Sequence, residues 1–225
     1  MKRKQTGFTL VEIAIVLVII GLLLGGILKG QEMITQAKIK NVVADFSGVS
    51  AAYYGYQDRY RAIPGDDNGA AARWTSANPA AVNGNGNGVV AGTWNNAGAV
   101  CTTAVETCSW WHHLRQAGFV SGSGTLQPFN AVTGQLGVQT GNGAGGATLG
   151  TDAAGTGGFS GLIVCSGNLP DKIAIATDTQ MDDGVPISGT VRGLLQATPN
   201  PATANPATAT YVENGTNVYL LCRSL

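Results

Sequence analysis

From Phe8 to Leu28 the chain is apolar except for Thr9, Glu12 and interspersed glycines, a run about as long as the ~20 residues that cross a bilayer as a helix. A membrane helix is expected there. Past Lys29 the pattern becomes one-sided: Ile39, Val42, Phe46, Val49, Tyr53, Tyr56 and Tyr60 recur alternately three and four positions apart. That spacing gathers all of them on one helical face. Pro64 and Gly65 read as the stop. One helix is therefore expected over 8–61, apolar all round in 8–28 and amphipathic in 29–61, roughly 80 Å long at ~1.5 Å per residue. Its stripe needs a cover, and residues 62–225 are the part of the chain that can supply one.

Beyond residue 61 the periodic signal breaks into short pieces. The stretch 61–100, with IPGDDNGAAARW and NGNGNG, reads as loop and turn. CSWWHHLRQAGF reads as a short helix capped by Ser109 and ended by Gly118, with Trp110, His113 and Leu114 near one face. Leu162, Ile163, Val164 and Cys165 form a glycine-bounded apolar run expected to be a buried strand, and NVYLLCRS matches it in character. LPDKIAIATDTQMDDG reads as a second short helix from Pro170 to a stop at Gly184, with a strand through IAIA as the alternative, followed by a strand in SGTVRG. NPATA occurs twice between Asn200 and Ala209; its proline, threonine and alanine predict a solvated, partly extended loop that projects from the surface.

Composition narrows the class. Only 12% of the 225 residues are charged and 33 are glycine, which describes one loop-rich domain plus the helix. Lys2, Arg3 and Lys4 precede the apolar run, so the positive-inside rule leaves the N-terminus cytoplasmic and exports the rest. Without them ten bases face thirteen acids, so no basic stripe for general nucleic-acid binding is expected. Four cysteines in an exported chain favour disulfides, and they fall into the pairs Cys101 with Cys108 and Cys165 with Cys222. Cys101, Cys108, His112 and His113 offer a rival zinc reading, but their spacing fits no standard pattern.

Gly7-Phe8-Thr9-Leu10-Val11-Glu12, after a short basic leader and before an apolar helix, resembles the class III signal of type IV pilins and type II secretion pseudopilins. The resemblance implies cleavage after Gly7 by a prepilin peptidase and methylation of the new amine on Phe8, so that 1–7 is a leader. It implies an α+β fold, with a long N-terminal helix packed on a small antiparallel sheet of a globular head. It also implies partners: copies of the same chain or other pilins in a helical filament, the inner-membrane assembly machinery, and the membrane before assembly. The location implied is the inner membrane for the precursor and a filament on the cell surface afterwards, or the periplasm for a pseudopilin.

Glu12 is the chemical puzzle, since a charge placed in a bilayer core costs ~2.5 to 3.5 kcal/mol even on gentle scales. The family resemblance implies that it meets the Phe8 amine of a neighbouring copy, an attraction that grows in an apolar core. Gly21, Gly25, Gly26 and Gly30 lie in the same helix, each costing up to ~1 kcal/mol against alanine; small residues let helices approach closely, or let a segment lose its helix on leaving the bilayer, as the resemblance implies, although Lys29 stands where many members of the family carry proline.

In the head, Asp178, Asp182 and Asp183 gather hard oxygen atoms near one turn, the ligand type calcium takes, and some pseudopilins bind calcium in a C-terminal loop. The alternative is a solvated acidic turn. Asn83, Asn85 and Asn87 have calcium-loop spacing without its charged ligands, and a turn-rich loop is the expectation. No Ser/His/Asp set or paired carboxylates stand out, so a structural role is expected rather than an enzyme, and His112 and His113 read as partly buried structural residues. A pilus subunit, a pseudopilin and a minor pilin acting as tip adhesin or DNA-uptake factor share these features.

Overall fold

A computed structural model describes residues 9–77, 79–96, 105–206 and 208–225. The elements are α1 (Leu10–Tyr60), α2 (Ala70–Arg73), α3 (Glu106–Gln116), β1 (Leu136–Thr140), β2 (Leu162–Pro170), α4 (Asp171–Met181), β3 (Val191–Leu195) and β4 (Val218–Ser224). They fall into two compact units, Met1–Lys38 and Ile39–Leu225.

Within its described residues, the first unit is the apolar half of α1. Its large side chains from Leu10 to Leu28 are exposed, with a mean hydropathy of 2.8 over the most apolar window. Lys29 and Glu32 pair across one turn at 2.8 Å.

The second unit is built on the expected stripe. Ile39, Val42, Phe46, Val49, Tyr53 and Tyr56 are all buried, and Tyr60 packs at the margin of the same cluster. Arg61, with φ of 53°, turns the chain out of the helix while its amide still bonds Gln57 at 2.9 Å. Gly65 follows with φ of 86°, where a Cβ would stand 2.4 Å from the Glu106 carbonyl oxygen, so only glycine lets the chain pass α3 so closely.

The sheet is fully antiparallel in the order β1-β2-β4-β3, matching the expected helix-plus-small-sheet architecture. Strand alternation sorts its two faces. Leu136, Val138, Val164, Val191 and Leu221 join the core made by the second half of α1, by Trp110, Trp111 and Leu114 of α3, and by Ile173 and Ala174 of α4. Ile163, Cys165, Leu220 and Cys222 face the other way into a smaller cluster with Trp94 and Leu149. The register of β2 slips between Ser166 and Leu169, where Asn168 has φ of 55°. The bulge changes the parity of the strand, so that odd-numbered Leu169 reaches the main core.

Three expectations need correction. Ser109 does not cap α3: the helix starts earlier, with Val105 at the N-cap and no side-chain cap. The buried surroundings supply the stability a cap would have given, since Glu106 to Leu114 are all buried rather than one face alone. Gly118, at φ of 80°, does end α3, with Phe119 and Gly118 amides returning to Leu114 and Arg115 carbonyls at 2.9 and 3.1 Å in the Schellman pattern. At the other helix, α4 ends at Met181, before Gly184, because Asp182 leaves the helical conformation and its carboxylate takes the Thr190 and Val191 amides.

The third correction concerns the NPATA segment, which lies against the second unit as a strap. The Pro201 carbonyl accepts the Trp94 indole at 3.0 Å, the Asn200 carbonyl accepts Asn95 at 2.9 Å, Thr203 bonds Gln139 at 3.0 Å, and Asn205 accepts the Gly150 amide at 3.1 Å. Backbone carbonyls and two asparagines supply the grip, which the threonine-alanine composition hides.

Candidate functional site

Glu12 lies in the first turn of α1, where Thr9 precedes the helix. The Thr9 amide and hydroxyl both donate to Glu12 Oε2 at 2.8 Å, and Thr9 Oγ1 accepts the Glu12 amide at 3.3 Å. This is a capping box, with each residue satisfying the other's free backbone donor. The Thr9-x-x-Glu12 spacing announces it, a signal the sequence reading passed over. Gly7 and Phe8, the expected cut site and new terminus, lie outside the described residues.

In the second unit, Cys165 and Cys222 are directly opposite each other on β2 and β4 and are joined by a disulfide spanning 57 positions of sequence. Cys108 is also disulfide-bonded; Cys101, its expected partner, lies outside the described residues.

Asp178, Asp182 and Asp183 do come together, each offering an oxygen within 4.8 Å of the others. Asp178 is fully buried. Its Oδ2 accepts the Tyr211 hydroxyl at 2.5 Å, and its Oδ1 is buried without a hydrogen-bond partner. Burial, reinforced by the charges of Asp183 and Asp182, pushes its carboxyl up to about 6, against the downward pull of the Tyr211 hydroxyl and the Gly184 amide. Asp183 is held low by the Ser188 hydroxyl and the Val185 amide.

The two histidines do structural work. His112 and His113 are fully buried rather than half-exposed. His113 Nδ1 accepts the Gly65 amide at 2.9 Å, which leaves Nε2 to donate to the Val82 carbonyl, also at 2.9 Å. Burial holds this ring neutral, with its pKa down to about 4. With Cys108 in a disulfide and both His113 nitrogens engaged, the zinc reading loses its ligands. The folded form rejects a proton that the unfolded chain accepts, so His113 contributes stability in full above about 6.5, and loses it as pH falls towards 4. Asp178 works in the opposite sense: its raised pKa stabilises the fold below its ordinary value of 3.8 and is lost as pH rises through about 6. A His113→Gln variant, followed by thermal melts between pH 7 and 4, is therefore expected to lose less of its Tm on acidification than the parent.

The NGNGNG loop wraps an anion. Asp66 accepts the amides of Gly86, Asn87 and Gly88 at 2.6, 3.1 and 2.7 Å, while Asn85 and Asn87 cap amides two residues on. Its donors point inward, the reverse of what a cation needs. Next door, Asp67 takes the Tyr56 hydroxyl at 2.6 Å, the Gly69 amide at 2.8 Å and the Arg73 guanidinium. IPGDDNG thus fastens the first head loop to α1, a role its composition does not disclose.

Comparison with known proteins bears on the N-terminus above all. The prokaryotic N-terminal methylation motif matches residues 2–28. Among solved structures, the major type IV pilin PilA1 from Clostridium difficile is similar at 14% identity, covering 84% of this chain and 95% of that one, with a TM-score of 0.34. No curated protein matches. The methylation motif leads into a long helix whose second half is packed on a four-stranded antiparallel sheet. The apolar N-terminal helix and signal fit a membrane-anchored precursor.

Proposed function

We propose that this protein is the structural subunit of a type IV pilus, cut after Gly7, N-methylated on Phe8 and polymerised through α1. The observation that carries the reading is the apolar half of α1: beside a methylation motif, its large side chains stand uncovered around a single acid, Glu12. Lipid covers such a surface before assembly, and neighbouring copies cover it afterwards. Residues 1–7 are the leader, 8–61 the assembly helix and 62–225 the head. Prepilin peptidase, the inner-membrane assembly machinery and further copies of the chain are its partners.

Mass spectrometry of the native protein, together with electron microscopy of sheared cells, tests this reading. The expected mature chain starts at methylated Phe8 and is abundant in surface filaments, and Gly7→Glu leaves the leader attached. Mature protein confined to the periplasm would instead make it a pseudopilin, and trace amounts at filament ends a minor pilin acting in adhesion or DNA uptake.

The acidic turn is proposed to take calcium. The buried Asp178 Oδ1, without a donor of its own beside two further carboxylates, is the observation that favours this over a solvated turn. Titration calorimetry of the full-length protein is expected to show heat with millimolar calcium at pH 7, weakening below pH 6 as a proton competes for Asp178. Asp178→Asn removes the signal; no heat from the parent refutes the site.

A further inference from the structure

Asp45 lies on the packed half of α1 and lines an open groove of about 270 Å³ with Asn41, Ala44, Phe129, Asn130 and Ala131. The carboxylate is half-buried and has neither hydrogen bond nor ion pair among the described residues, and desolvation raises its pKa. A carboxylate held partly out of water without a counter-charge is a cost to the fold, removed when a cation sits beside it. The groove suits a cation on an apolar stem. Phe129 is 68% exposed at the margin and offers an aromatic surface of the kind that attracts ammonium and guanidinium groups. The wall is rigid, because Asn130 is held by Ser166 Oγ and the Gly167 carbonyl at 2.8 and 2.7 Å and by the amides of Val132 and Gly134 at 2.9 and 2.8 Å.

We propose that this groove receives Lys40 from a second copy of the chain, forming a second ionic contact between neighbouring subunits. The inference rests on the filament reading above. Charge complementarity points to Lys40: it is exposed on the same helix, with no acid partner among the described residues. Spacing points the same way. Lys40 and Asp45 lie five positions apart on the packed half of α1, so two parallel copies of that half displaced by about 7.5 Å along the axis bring the lysine of one level with the carboxylate of the next.

Charge reversal in cells that assemble the filament tests the contact, with sheared-filament yield as the readout and the membrane level of mature protein as the check on folding. Lys40→Asp and Asp45→Lys are each expected to lower yield by about tenfold, and the double variant Lys40→Asp/Asp45→Lys to restore it. Full yield from Asp45→Lys overturns the proposal. So does a double variant no better than the singles while mature protein stays at parental level, since the groove would then hold some other cation. If a single reversal fails to accumulate, Lys40→Cys/Asp45→Cys decides, because the described cysteines are not free: mild oxidation of filaments gives a ladder of linked subunits, and monomer alone refutes the contact. Glu12→Leu runs alongside. Loss of filaments there with no effect at Asp45 sinks this contact only, whereas absence of the parent protein from sheared filaments sinks the filament reading itself.

Discussion

Glu12→Leu is expected to abolish filaments while leaving cleavage, methylation and membrane retention intact. The substitution lengthens the apolar run, so insertion does not suffer. On the proposed filament reading it removes the acid that would meet the Phe8 amine of a neighbour, and stripping one partner from a buried ion pair costs about 3 to 5 kcal/mol because the other charge stays buried and bare. At ~1.4 kcal/mol per decade, that weakens each subunit contact by roughly two to four orders of magnitude. Leucine also removes the capping bonds to Thr9, worth ~1 kcal/mol to the helix start. Glu12→Gln separates the two effects, since glutamine preserves a capping box but carries no charge. Both variants are expected to fail in sheared-filament yield at parental levels of mature protein. Normal assembly by Glu12→Gln would show that capping rather than charge is what the position requires.

The second large effect lies in the head. Replacing Cys165 and Cys222 together by alanine opens a loop of 57 positions, for which chain entropy predicts a loss of about 4 kcal/mol, against a usual range of about 2 to 4. The sulfurs belong to the smaller cluster on the face away from α1, among Trp94, Leu149, Ile163 and Leu220. Their removal therefore also loosens packing beneath the strap. A fall in Tm of roughly 10 °C is expected for the full-length protein in detergent, and a matching fall on reducing the parent. An unchanged Tm in both would mean that the strands hold each other without the bridge.

Legibility in the sequence followed how local the cause was. The stripe from Ile39 to Tyr60 announces its buried face because helical periodicity is written in consecutive turns, and it is buried from Ile39 to Tyr56 with Tyr60 at the margin. The strands around Leu162 and Tyr219 were visible as apolar runs between breakers. β1 was not singled out: in LGVQT, Leu136 and Val138 alone enter the main core, beside a glycine and a glutamine. Gln139 is nevertheless buried, because its side chain accepts the Trp94 amide at 2.9 Å from a loop some forty residues upstream. Such bonds between distant loops also fix Asp66, His113 and the NPATA strap, and no window of sequence contains both ends of any of them. The Glu12 capping box is the opposite case, with both of its partners within a single helical turn.

The strap also sets where the head tolerates change. Asn200 holds the Gln135 amide through its side chain at 3.0 Å, and Asn205 holds Gly150, so those two asparagines are rivets. Ala202 and Ala204 between them stand open to solvent. New side chains at the alanines, even bulky or charged ones, leave the seams intact. A surface under pressure to vary therefore has a place here to change its outward features without repacking what lies beneath.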